Sequence, residues 1–85
     1  MPYEIIYSDR AADDLASLYA TTAKRIKKRL DAVKSDPHIY VKRLGGVKLF
    51  SLRVGDYRVI MDIKNNKMII FVVTIGHRRE VYGGL

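Results

Sequence analysis

The chain has 85 residues, 48% of them hydrophobic and 29% charged, values that fit a single small globular domain over residues 1–85 and argue against a disordered chain. It has no cysteine, hence no disulfide framework and no thiol chemistry, and its two histidines, His38 and His77, lack metal-ligand spacing, so neither a metal nor a cofactor is expected. A net charge of +7 at pI 9.9 raises the local concentration of polyanions and points to nucleic acid, a ribosome or an acidic protein as partner.

In chain order, "YEIIYS" (residues 3–8) reads as a first strand, with Ser8 or Asp9 able to cap the helix that follows. Ala11, Ala12, Leu15, Leu18 and Tyr19 recur at helical spacing and are expected to face the core. Thr21 or Thr22 can cap a second helix, in which Ala23, Ile26, Leu30 and Val33 share one stripe, until Asp36-Pro37 stops it. Its opposite face carries Lys24, Arg25, Lys27, Lys28 and Arg29, a pattern compatible with a solvated amphipathic helix or with a long-range electrostatic role.

From Lys48 onward the period becomes alternating. Gly55-Asp56 suits a two-residue hairpin turn with glycine first, and Asn65-Asn66 suits one with both central residues at positive φ. Strands are therefore expected at 48–54, 57–64 and 67–76, and with the first strand they make a small, mainly antiparallel four-stranded sheet. Two N-terminal helices packed on one face of it give an α+β fold. The longest apolar run, "MIIFVVTI" (residues 68–75), is far below the ~20 residues needed to span a bilayer. No signal-peptide pattern precedes the domain, so a cytoplasmic protein with no membrane partner is expected.

If Gly55 and Asp56 are the only loop residues, Arg53 stands directly opposite Arg58 on the face away from the core. Like charges placed so are destabilising by a few tenths to about 1 kcal/mol, which calls for an anion between them. Asp62, on the same face but four residues along, is the internal candidate; an external anion is the favoured one. That outer face also carries Ile60, Ile69, Phe71, Val73 and Ile75, an apolar patch expected to be covered partly by the chain's own Val81, Tyr82 and Leu85 and partly by a partner polypeptide. The closing segment, "TIGHRREVYGGL", brings His77, Arg78 and Tyr82 towards the arginine pair; Arg79 and Glu80 read as a solvent-exposed ion pair, and Tyr82 either caps the apolar patch or takes part in chemistry.

Together, "VKRLGGVKLFSLRVGDYR", "LFSLRVGDYRVIMDI" and "GHRREVY" resemble the RelE/ParE superfamily of toxins from type II toxin–antitoxin modules, on the RelE side, over almost the whole chain. The resemblance implies an endoribonuclease that cleaves mRNA in the ribosomal decoding site and is silenced by a cognate RelB-like antitoxin. It implies that Arg53 and Arg58 hold and stabilise the scissile phosphate, that Arg78 assists the leaving group and that Tyr82 activates the 2′-hydroxyl. Lys42, Arg43, Lys48 and His77 are then candidates for further RNA phosphate contacts, and Ile60, Phe71, Val73 and Ile75 for antitoxin contacts. Where active members have a second lysine two residues before the Arg53 position, this chain has Ser51. The alternatives are a ParE-like inhibitor of DNA gyrase and a catalytically weakened homologue that acts through its antitoxin.

Overall fold

The computed structural model describes residues 2–77. Strand β1 (Glu4–Tyr7) leads into helix α1 (Asp9–Ala16), and helix α2 (Ala20–Val33) follows. A short strand β2 (Lys42–Arg43), then β3 (Phe50–Val54), β4 (Tyr57–Lys64) and β5 (Ile69–His77) complete the fold. The sheet has five strands in the order β1-β5-β4-β3-β2. Pairing is antiparallel except between β1 and β5, which run parallel. The expected four strands are thus one too few: β2 is two exposed charged residues, with no alternation to betray it, held against Ser51 and Phe50 of β3.

Ser8 caps α1 as expected, its Oγ accepting from Ala11 N at 3.0 Å, and Asp9 in the first turn favours the helix dipole. Helix α2 departs from expectation. It begins at Ala20 with Tyr19 as N-cap and no side-chain cap bond, so neither Thr21 nor Thr22 serves, and Tyr19 is 87% exposed rather than facing the core. Ala12 is also exposed. Ala11 and Leu15 of α1 join Ile26, Leu30 and Val33 of α2 in one core cluster with Leu52, Val54, Val59, Met61, Ile63, Ile70, Val72 and Ile75 of the sheet. α2 ends at Val33, and Pro37 opens a short 3-10 turn whose proline is buried.

The first hairpin is the one expected: Val54 pairs with Tyr57 and Arg53 with Arg58 around Gly55-Asp56. Gly55 has φ +60°, while Asp56 keeps a negative φ, the type II′ pattern that right-handed strand twist favours. A Cβ at Gly55 would also fall 3.2 Å from Arg25 Nη1. Gly55→Ala is therefore expected to lower unfolding free energy by about 1–2 kcal/mol, the cost of left-handed backbone for an L-residue, as read from urea denaturation. A change below the error of that measurement would mean that the turn relaxes to another type.

The second hairpin is not the expected one. Asn65–Lys67 form a 3-10 turn and the positive φ, 55°, falls on Met68, so Lys64 pairs with Ile69 instead of Lys67. This displacement by two residues preserves the parity that a two-residue turn would give, and Met61, Ile63, Ile70 and Val72 share the core face. A bulge then intervenes, because Met61 pairs with Val72 but Ile60 with Thr74, leaving Val73 as the extra residue. One extra residue reverses parity, which puts Ile75 into the core at 4% exposure and corrects its expected outward position.

Helix α1 clamps that bulge. Ser8 Oγ donates to Val73 O at 2.6 Å, and Asp14 Oδ2 accepts both from Thr74 Oγ1 and from Ile75 N at 2.9 Å. Backbone groups that a bulge takes out of the ladder thus find partners on the helix above.

Candidate functional site

Arg53 and Arg58 project from the sheet face opposite the helices, since Leu52, Val54 and Val59 between them are in the core. Around the pair, Lys42 and Arg43 of β2, with Leu44 and Ser51, line a cleft of about 250 Å³. Four cations therefore converge on one concavity, and two-residue β2 is what carries Lys42 and Arg43 there. Ser51, noticed in the sequence only as a missing lysine, is buried in the cleft wall at 7% exposure.

The two arginines are held differently. Arg53 is exposed and its Nε donates to Gly55 O at 3.2 Å, so the hairpin turn orients it. Arg58 is half-buried, and its Nε is a buried donor with no hydrogen-bond partner among the described residues. Leaving a buried donor unpaired costs about 1–3 kcal/mol, and more for a charged group. Asp62 does not relieve it, because its carboxylate pairs with Lys64 at 2.9 Å. Among the described residues the other ion pair, Lys34–Asp31, is on α2. The cleft is thus electropositive, and Arg58 is one of the residues that line it.

Other expected site residues scatter. Lys48 lies exposed in the 44–49 connection and does not line the cleft. His77 ends β5 opposite Tyr57, whose ring it meets edge-on at 5.9 Å, one residue beyond Gly76, the partner of Arg58. A two-residue turn at Asn65-Asn66 with no bulge would set Thr74 beside Tyr57; the longer turn and the bulge together carry the strand three residues further. Arg78, Tyr82 and the remaining residues of the closing segment lie outside the described residues. Of the four residues expected to meet an antitoxin, Ile60 is fully buried and Ile75 is in the core, whereas Phe71 and Val73 remain partly exposed.

A family model described as the ParE toxin of type II toxin–antitoxin systems (parDE) matches residues 5–82. The chain belongs to this toxin superfamily. On the RelE side, it is 30% identical over 87 residues to the mRNA interferase toxin RelE of Escherichia coli K12, with 96% of this chain and 92% of that protein covered. The same identity and coverage hold for the mRNA interferase RelE of Shigella flexneri. A solved variant of E. coli RelE in the free state superposes with a TM-score of 0.81 at 25% identity, covering 98% of this chain and 93% of that one. The toxin–antitoxin complex RelBE2 of Mycobacterium tuberculosis matches in fold with a TM-score of 0.85 at 22% identity, over 92% of this chain and 100% of that one. This protein is accordingly a RelE-like toxin of a type II toxin–antitoxin system, of α+β fold with a five-stranded mixed sheet. No helix among the described residues of the toxin is long and apolar enough to cross a membrane.

Proposed function

We propose that this toxin is a ribosome-dependent mRNA endoribonuclease that inhibits translation in the cytoplasm and is silenced by a RelB-like antitoxin. The observation that carries the reading is Arg58, whose buried Nε has no partner among the described residues and which lines a cleft that also gathers Arg53, Lys42 and Arg43. Relatives at 30% identity are named mRNA interferases, and several of the similar solved structures are RelB–RelE complexes.

In the proposed step the 2′-oxygen of one nucleotide attacks the adjacent phosphorus, its proton passes to a base, and the bond to the 5′-oxygen breaks as that oxygen takes up a proton. The products are a 2′,3′-cyclic phosphate and a 5′-hydroxyl, and no oxidant, reductant or water is consumed. Arg58 and Arg53 stabilise the dianionic phosphorane, while Lys42 and Arg43 hold neighbouring phosphates. By resemblance, Tyr82 is the base and Arg78 assists the leaving oxygen. A tyrosine near its ordinary pKa is ionised to only about one part in a thousand at pH 7, and a guanidinium hardly gives up its proton, so neither is strong in its role. Ser51, in place of the lysine, leaves the cluster one charge short unless Lys42 or Arg43, which line the same cleft, substitutes. Orientation of the RNA must then supply much of the acceleration, and a ribosome that holds the message bent for attack supplies it.

The expected result with purified protein is rapid cutting of message on programmed ribosomes, cyclic-phosphate and 5′-hydroxyl ends, and cuts phased to codons. Equal rates on naked RNA would sink the ribosome dependence. The ParE name of the family model favours a second reading, inhibition of DNA gyrase. Intact messages with blocked supercoiling, in a toxin that tolerates Tyr82→Phe, would establish that reading instead.

A further inference from the structure

The basic face of α2 has no role in the cleft just described, yet its cations are placed as if for a ligand. Arg25, Lys28 and Arg29 face the β3–β4 turn across a second cleft of about 370 Å³, whose far wall is Arg53, Val54 and Gly55. Three guanidiniums there are positioned by neutral groups. Arg25 lies against the Gly55 backbone, Arg29 sits 5.1 Å over the Tyr40 ring, and Arg53 donates to Gly55 O. Among the described residues none is in an ion pair, the pairs there being Lys34–Asp31 and Lys64–Asp62. Nor does helix stability explain the charges. Lys24 with Lys28, and Arg25 with Arg29, are like charges one turn apart, and the first turn of α2 holds no acidic residue to offset cations near its positive end.

Arg53 lines both clefts, so the two form one path over the hairpin tip. We infer that the cleft between α2 and the β3–β4 turn binds backbone phosphates of RNA outside the bond that is cut, extending the site from Arg58 past Arg53 to Arg25 and Lys28. This rests on the proposed RNA function, and its ligand is a phosphodiester of either the message or the ribosomal RNA. Planar guanidinium forks match carboxylate and phosphate alike, and phosphate is the ligand taken here because Arg53 joins this cleft to the one proposed to hold RNA.

The test uses the full chain and the double variant Arg25→Gln, Lys28→Gln, both positions being exposed on a helix that glutamine suits. Binding is measured against salt with three probes: vacant ribosomes, an uncleavable 2′-methoxy oligouridylate, and polyglutamate. Each lost phosphate contact lowers the log–log salt slope by about 0.7 for a single strand, so a fall of about 1.4 is expected, with thermal unfolding unchanged or raised. A fall with ribosomes alone assigns ribosomal RNA, and a fall with the oligonucleotide as well assigns the message. Unchanged slopes beside normal wild-type binding overturn the inference while leaving the cleavage reading intact. A loss confined to polyglutamate overturns it in favour of an acidic protein partner, and a wild-type protein that binds neither RNA removes both readings.

Discussion

Replacing Arg58 with alanine is expected to lower ribosome-dependent cleavage by about a hundred- to a thousandfold, the cost of removing one oriented donor from a developing charge, and to end growth arrest in cells. The reason is the position of that guanidinium. Its Nε is buried without a partner among the described residues, and it faces a second arginine across the hairpin. Opposed like charges are unfavourable by themselves and become favourable beside an anion. Folding should therefore not suffer: removing one of two opposed like charges relieves a few tenths to about 1 kcal/mol, so the variant should melt no lower than wild type. Arg58→Lys keeps the charge but loses the planar fork, and an intermediate rate is expected. If Arg58→Ala still arrests growth, the cleft is not the catalytic site; if it unfolds, Arg58 serves the fold instead.

That this pair could be read from sequence follows from the turn. Gly55-Asp56 admits a two-residue loop, and a loop of two residues fixes which side chains stand opposite, so Arg53 and Arg58 were determined by local chemistry alone. The rest of the site depends on tertiary context. Lys42 and Arg43 reach the cleft because β2 pairs with β3, and two charged residues have no periodicity from which that pairing could be seen. The bulge at Val73 was equally hidden, since its backbone groups are satisfied by Ser8 and Asp14, some sixty residues earlier in the chain. Ile75 was consequently given to the wrong face, although the faces up to Val72 were correct because the longer turn shifted the register by an even number. The basic face of α2 was legible as a pattern. Its meeting with the hairpin tip was not, because nothing local relates Arg25 to Gly55.

Asp14→Ala is expected to destabilise the toxin by about 3 kcal/mol, which for a domain of this size lowers the melting temperature by roughly 15 °C. One carboxylate oxygen accepts from Thr74 Oγ1 and Ile75 N, and both residues are buried, at 3% and 4% exposure. Alanine leaves those two donors unpaired, whereas Asp14→Asn retains an acceptor oxygen and should cost far less. The consequence reaches the site through register. Before the bulge Lys64 pairs with Ile69, and an unbulged strand continued from there would set Ile75 beside Arg58; with the bulge it is Gly76. A side chain in place of glycine at that point would crowd the arginine. Cleavage by Asp14→Ala, assayed well below its melting temperature, should therefore fall more than cleavage by a core variant of equal stability such as Leu30→Ala. Equal activity in the two would mean that Asp14 contributes stability without setting the register beside Arg58.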